Sequence, residues 1–198
     1  MCGRFTYDYT WDEIYELYQL TLPYLQSNLQ PSWNVCPTQI IPIIRRKKEG
    51  GRVAEMARWG LIPPWTRDLK EMKLTTINAK AETLRDSKLY AQPFATRRCI
   101  VPASHWYEWK VLGPKQKQPY AMQVDGDKMG FAGLWNLWTA PDGAKVQNFT
   151  IVTTDAAPEL RDIHNRMPRV LTPDEFETWL QPDPEKAAEL LAPSQAAF

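Results

Sequence analysis

The sequence predicts a single α+β domain over residues 1–198, with a curved, barrel-like antiparallel sheet and flanking helices. Strand-like runs rich in β-branched and aromatic residues dominate the middle of the chain, and helical patterns lie towards its ends. The 17 prolines are scattered along the chain, which favours many enforced turns over a disordered tail. A length of 198 residues is that of one domain.

The order of the elements follows from local patterns. Residues 2–6 alternate like a short first strand, and 23–37 is predicted to be loop. Thr10 and Glu13 have the spacing of a capping box ahead of an amphipathic helix. Further helices are predicted over 79–84 after Asn78, 173–180 after Thr172, and 184–191. Strands are predicted over 38–44, 52–59, 98–103, 105–111, 119–124, 128–133 and 148–153.

Composition excludes several classes of protein. A formal charge of +1 is unlike that of a polybasic nucleic-acid coat, although 45–48 and 97–98 would suit either a local basic groove or solvated edges. No run has transmembrane length and no secretory signal is present, so we expect a cytoplasmic protein with no membrane contact. Three cysteines without C-x-x-C spacing and two histidines predict no metal site and no cofactor.

Cys2 is the first residue that suggests chemistry. If Met1 is removed, Cys2 carries a free α-amine next to its thiol, and such an aminothiol condenses with an aldehyde to a thiazolidine. Arg4 would lie on the same side of a strand, where its charge would favour a thiolate and bind phosphate. A chance cysteine at position two and an ordinary surface arginine are the alternatives.

Three other side chains have the chemistry of a site. Asn78 would either cap a helix or hold a substrate oxygen or the Cys2 backbone. Glu108 lies between aromatic residues, whose walls would raise its pKa towards values useful in acid–base catalysis. His164 would transfer protons near neutral pH or stabilise its loop. His105 would face away from Glu108, and we take it as incidental.

A proline-rich aromatic segment spans 59–65, from Trp59 through Pro63 and Pro64 to Trp65. These side chains would either join the core or form a rigid stacking surface for unpaired bases.

In combination, these segments resemble the SOS response-associated peptidase (SRAP) family of abasic-site cross-linking proteins. Nine motifs occur in the family's order between residues 2 and about 171. They are Cys2-Gly3-Arg4-Phe5, Trp33 to Thr38, Trp59 to Trp65, Asn78 to Thr83, Arg97 to Ala103, Tyr107-Glu108-Trp109, Phe131 to Trp135, Ile151 to Thr154, and His164 to Pro168.

The resemblance implies the SRAP fold and a sensor of abasic sites in single-stranded DNA or at single-strand/double-strand junctions, within DNA repair and the SOS response. Cys2 would capture the ring-opened sugar aldehyde as a thiazolidine, with AP lyase activity through the imine. Glu108 would act on the amine, His164 would protonate the sugar oxygen, and Asn78 would orient Cys2. The implied DNA contacts are Arg4, Pro37, Trp65, Lys80, Trp109 and, more weakly, Thr153.

The resemblance also implies a monomer that associates with the bacterial nucleoid when it is bound to DNA. Lys80 stands where the family usually has arginine, which would remove a bidentate phosphate contact. The C-terminal end at Phe198 is shorter than in many members. Two other functions stay open at this point: a thiol peptidase or autopeptidase that uses Cys2, Glu108 and His164, and a noncovalent single-stranded-DNA-binding module.

Overall fold

A computed structural model describes residues 2–21, 29–72, 76–126, 129–194, 196 and 198. Twelve strands occur in this part of the chain: β1 Phe5–Tyr7, β2 Ser32–Val35, β3 Ile40–Arg46, β4 Arg52–Trp59, β5 Asn78–Lys80, β6 Arg98–Ala103, β7 His105–Gly113, β8 Gln116–Met122, β9 Met129–Thr139, β10 Lys145–Asp155, β11 Arg166–Pro168 and β12 Val170–Leu171. The α-helices are α1 Trp11–Leu17, α2 Ala91–Thr96, α3 Phe176–Leu180 and α4 Pro184–Ala188. Short 3-10 helices span Leu69–Glu71, Pro158–Leu160, Pro173–Glu175 and Glu189–Leu191.

The larger sheet closes on itself. Strand β10 pairs with β4, β4 with β3, β3 with β6, β6 with β9, and β9 again with β10. This ring of five strands confirms the predicted barrel-like sheet. Two pairings differ from the antiparallel prediction, because β10 runs parallel to both β4 and β5.

A smaller antiparallel sheet has the order β2-β1-β7-β8 and packs on the barrel through aromatic side chains. The ring of Phe5 in β1 lies 5.1 Å from Trp59 of β4 and 5.6 Å from Phe131 of β9, both edge to face. These contacts fix β1, and therefore the chain immediately before it, against the barrel.

Side chains of the barrel strands alternate between two cores. Cys99 and Val101 of β6 belong to the core shared with the small sheet, whereas Ile100 faces the core beneath the helices. On the helical side, Tyr18 stacks on Phe176 with ring centroids 5.0 Å apart. This period-two alternation explains why β6 is buried along its whole length.

Both predicted helix starts with a capping pattern are confirmed. Thr10 and Glu13 form a reciprocal capping box at the start of α1. Thr172 and Glu175 form a second box, after which a 3-10 turn leads into α3. The helix predicted over 184–191 is α4 followed by a 3-10 turn.

The prediction of a helix after Asn78 is wrong. Residues 78–80 form strand β5, and turns follow it. Pairing with β10 outweighs the local helical propensity, because three successive residues of β5 align with Ile151, Val152 and Thr153. The predicted loop over 23–37 is also wrong in part, since β2 occupies 32–35, while 22–28 lie outside the described residues.

Several other boundaries move by a few residues. The first strand begins at Phe5 rather than at residue 2, and β9 and β10 are each longer than predicted, at 11 residues. Residue 128 of the predicted strand 128–133 lies outside the described residues. Among the described helices, none is long and apolar enough to cross a membrane.

Candidate active site

Cys2 is held against the barrel by the backbone and by Asn78. The Nδ2 of Asn78 donates a hydrogen bond of 2.9 Å to the Cys2 carbonyl, and both residues are buried. Because Asn78 begins β5, which is paired with β10, its side chain extends from a rigid strand. Its Oδ1 is buried without a hydrogen-bond partner among the described residues, so the site retains an available acceptor.

The Cys2 thiol lies in an environment that favours its neutral form. Burial raises the pKa of this thiol far above its usual range, and the negative charge of Glu108 acts in the same direction. The Sγ atom lies 3.8 Å from the Arg4 carbonyl, a weak hydrogen bond. A thiolate is therefore strongly disfavoured at Cys2 at neutral pH.

Glu108 enters the site from β7. Its side chain is almost fully buried, and this desolvation raises the pKa of the carboxyl group. The positive charge of a protonated His164 partly opposes this shift. The Nε2 of His164 is 4.0 Å from the Oε2 of Glu108. The structure thus places a carboxyl group with a raised pKa next to an imidazole. The sequence predicted each of the two residues as a site candidate, but it gave no distance between them.

His164 is oriented by the backbone of its own loop. Its Nδ1 accepts a hydrogen bond of 3.0 Å from the amide of Arg166. The same Nδ1 lies 3.1 Å from the Arg166 carbonyl oxygen, so these two contacts orient the ring and leave Nε2 facing Glu108 without assigning the tautomer. The histidine side chain is 28% exposed, so it lies between the buried carboxyl group and solvent.

Arg166 supports this arrangement and was not identified as a site residue from the sequence. Its guanidinium group binds the carboxylates of Glu82 and Asp155 and donates to the carbonyl of Thr153. The signal that would have found it is its spacing of two residues from His164, which places its amide within reach of the imidazole.

Thr153 was predicted to contact phosphate, but its side chain is fully buried. Its Oγ1 lies 3.5 Å from the Ala79 carbonyl and accepts a hydrogen bond from Arg166. Thr153 therefore holds β5 and Arg166 in place, and its contact with a DNA phosphate stays a prediction. The buried position follows from β10, which is flanked by β5 and β11 at this point.

The other predicted DNA contacts have accessible surface. Arg4 is exposed and donates a 2.8 Å hydrogen bond to Asn34 Oδ1. Trp65 is 63% exposed, and Lys80 is also exposed. Pro37 and Trp109 are half-buried.

The remaining candidates from the sequence lie outside this site. His105 Nδ1 is 3.4 Å from Thr6 Oγ1, and the alternation of β7 places it on the face opposite Glu108. Cys99 is buried and Cys36 is half-exposed, and both are free thiols. Among the described residues, no group of three or more histidine, cysteine or acidic side chains could hold a metal ion.

Fold and site define a class of protein in which a closed, mixed sheet presents a cysteine near the amino terminus to a buried carboxyl group, a histidine and an asparagine. The chain belongs to the SOS response associated peptidase (SRAP) family, whose model matches residues 1–198. This confirms the family to which the sequence motifs pointed.

Individual relatives agree with that assignment. The chain is 39% identical over 200 residues to the abasic site processing protein YoqW of Bacillus subtilis, covering 99% of this chain and 88% of that protein. It is 32% identical over 181 residues to the abasic site processing protein HMCES of Xenopus tropicalis, covering 76% of this chain and 54% of that protein. A crystal structure of a protein from Bacteroides thetaiotaomicron superposes with a TM-score of 0.84 at 28% identity, covering 97% of this chain and 87% of that one.

Proposed function

We propose that this protein captures abasic sites in single-stranded DNA, or at single-strand/double-strand junctions, by forming a thiazolidine with Cys2. The proposal depends most on one observation: Cys2, Asn78, Glu108 and His164, distant in sequence, converge at the amino terminus of the chain. The names of the relatives, abasic site processing proteins, support the same substrate.

The chemistry requires that Met1 be removed. The free amine of Cys2 then attacks the aldehyde of the ring-opened sugar, and loss of one water gives an imine. The thiol adds across this C=N bond: sulfur bonds to carbon, and the thiol proton moves to nitrogen. One aldehyde and one aminothiol thus give one thiazolidine and one water, without an oxidant or reductant.

Glu108 has the properties that this sequence of steps needs. A carboxyl group with a raised pKa exchanges its proton more readily near neutral pH than an ordinary glutamate, so it can accept a proton from the amine and later donate one to the departing water. The same exchange in reverse would reopen the ring. His164, which is partly exposed and lies 4.0 Å from Glu108, would protonate the sugar oxygen as the ring opens.

Asn78 would fix the nucleophile. Its hydrogen bond to the Cys2 carbonyl sets the direction of the adjacent amine, and its Oδ1 can accept a hydrogen bond from the sugar or from that amine. Arg4 and Lys80 would bind phosphates, and Trp65, Pro37 and Trp109 would pack against bases or sugars.

The imine also permits AP lyase activity. Removal of a proton from the carbon next to the imine expels the 3′ phosphate and cleaves the strand. Closure of the thiazolidine competes with this elimination, because it consumes the imine. We propose that the protein acts as a monomer in the cytoplasm, on damaged chromosomal DNA.

A thiol peptidase is less well supported by the site. Peptide cleavage by cysteine needs a thiolate, and burial together with Glu108 raises the pKa of the Cys2 thiol. Addition of a neutral thiol to an imine has no such requirement, because the imine nitrogen accepts the thiol proton.

The test begins with an intact mass, which shows whether Met1 is absent. The protein is then incubated with a single-stranded oligonucleotide that carries one abasic site, and the products are separated on a denaturing gel. A heat-stable shifted band is expected, and it should disappear with Cys2→Ser or when the aldehyde has been reduced beforehand. A shifted band that survives either change would overturn the proposal, as would cleavage of casein without any shifted band.

A further inference from the structure

Strands β7 and β8 continue beyond Glu108 as an exposed hairpin, which we call the arm (residues 109–121). Strand β8 is exposed from Gln116 to Ala121, and Val111 of β7 is 67% exposed. The arm contains three lysines, Lys110, Lys115 and Lys117, and no acidic residue. Its positive charge is concentrated, although the whole chain has a formal charge of only +1.

The register of the arm determines which side chains share a face with the catalytic candidate. Glu108 lies opposite Tyr120, and Lys110 lies opposite Gln118. Opposite residues in an antiparallel pair point to the same side, as do residues two apart. Tyr120 and Lys110 therefore share the face of Glu108, whereas Lys117, opposite Val111, lies on the other face.

These side chains are close to the site. Cβ atoms of directly opposite residues are about 4.5–5.5 Å apart, and residues two apart along a strand are separated by about 7 Å. Tyr120 is 39% exposed and Lys110 is half-buried. An aromatic residue and a lysine are therefore neighbours of Glu108 on one face of the arm, and both have accessible surface.

We propose that the Glu108 face of the arm binds the nucleotide next to the abasic site, with Lys110 on its phosphate and Tyr120 stacked on its base. This inference rests on the proposed function, and it adds a docking surface for DNA on one side of the lesion. A lysine and an aromatic ring together suit single-stranded DNA. The lysine binds a phosphate and so positions the strand, and the aromatic ring can stack on any of the four bases.

Addition of a protein strand to β8 fits the structure less well. Among the described strands, β8 pairs with β7 alone, so its outer edge is accessible. Pro119 lies within β8 and lacks an amide donor, and lysines flank the same edge. Proline and lysine on an edge strand discourage pairing with another chain, whereas a polyanion matches the charge.

Two lysines of the arm provide a matched test. Lys110→Gln and Lys117→Gln remove the same charge from opposite faces of one hairpin, and Lys47→Gln removes it from the turn that follows β3, outside the arm. Binding of an undamaged single strand is measured at several salt concentrations. For Lys110→Gln we expect weaker binding and a salt slope reduced by about 0.7, with wild-type slopes for the other two.

Tyr120 is tested by Tyr120→Leu, which keeps an apolar side chain but removes the stacking surface. We expect affinity for the undamaged strand to fall by about tenfold, within the range for loss of one base stack. Equal slopes for Lys110→Gln and Lys117→Gln, or wild-type affinity for Tyr120→Leu with wild-type thermal unfolding, would overturn the inference.

Truncated substrates locate the contact. Abasic oligonucleotides are prepared with the lesion at either the 5′ or the 3′ end, so that one flank is missing. With lesions flanked on both sides, we expect Lys110→Gln to capture abasic DNA more slowly than the wild type. This defect should disappear for one truncated substrate and persist for the other; a defect that persists for both would contradict contact with a single flank. Failure of the proposed function is distinguishable, because it would remove the cross-link from the wild type, whereas the binding comparison uses undamaged DNA.

Discussion

Cys2 and Cys99 are two fully buried thiols in very different surroundings. Burial raises the pKa of both thiols far above the usual range. Cys99 is the second residue of β6, and its carbonyl accepts a 2.8 Å hydrogen bond from Trp179 Nε1. Cys2 precedes the first strand, and its carbonyl is bound by Asn78.

The comparison shows that thiol burial does not distinguish the cysteine that we propose to react from the other buried cysteine. The neighbouring ionisable groups differ: the carboxylate of Glu108 raises the pKa of the Cys2 thiol further, whereas the positive charge of Arg45 partly lowers that of Cys99. Position in the chain adds the second difference, because only a terminal cysteine can offer an amine. The predictions below test these differences in order of expected effect.

The largest effect is expected from replacing each of the two cysteines by alanine, which removes the thiol group. Cys2→Ala should abolish the cross-link to abasic DNA, because the thiazolidine cannot close. Cys99→Ala should leave cross-linking intact while lowering the free energy of unfolding by about 1 kcal/mol, the cost of a small core deletion. Denaturing gels and urea unfolding measure the two quantities. Loss of cross-linking in a well-folded Cys99→Ala variant would contradict the comparison.

Glu108→Gln tests the charge next to Cys2. We expect slower cross-link formation and slower reversal, each by about a hundredfold or more, the usual range for loss of a general acid–base. The time course of band formation gives the forward rate. The time course of band loss, with an excess of a reagent that traps the released aldehyde, gives the rate of reversal. Wild-type rates in both directions would exclude Glu108 from the mechanism.

The same variant makes a prediction about stability and pH. Because the folded state raises the pKa of Glu108, it retains this proton at pH values where the unfolded chain has released it. The contribution of Glu108 to stability therefore falls as pH rises above the ordinary value of 4.5. Glu108→Gln should be more stable than the wild type at neutral pH, and this gain should vanish below that value. Urea midpoints of the variant and the wild type, measured from below pH 4.5 to neutral pH, test this. A difference between the two proteins that does not change with pH would contradict the prediction.

A smaller effect is expected from Asn78→Asp, which keeps the size of the side chain but removes the Nδ2 donor to Cys2. Loss of one such hydrogen bond costs about 1 kcal/mol, so capture should slow by about fivefold to tenfold. Asn148→Asp is a control in the same barrel, because Asn148 donates to the Val146 carbonyl, remote in sequence from the site residues. A larger loss of capture rate in the control than in Asn78→Asp would contradict the role of Asn78.

The smallest effect on function is expected at Cys36. This thiol is half-exposed, and the other two are buried, so an alkylating reagent should label Cys36 first in the folded protein. Cys36→Ser should retain full cross-linking. Peptide mass mapping after brief labelling measures the order, and prior labelling of Cys99 would show that its burial is incomplete in solution.

Much of the fold was predictable because its signals are local. The capping box at Thr10 and the alternating strands β4 and β6 follow from residue patterns within a few positions, and their predicted bounds agree with the structure. The helix predicted after Asn78 failed because β5 exists only through its pairing with β10, some 70 residues away. No local pattern carries that information.

The sequence alone determined the family, through its motifs, and the candidate groups: an aminothiol at position two if Met1 is removed, and one glutamate between aromatic residues. The tertiary structure decided which groups meet. It placed Asn78 on the Cys2 carbonyl, brought His164 to 4.0 Å from Glu108, and buried Thr153 away from solvent. The physical reason is that a pKa and a hydrogen bond depend on distance and burial, which long-range strand pairing sets.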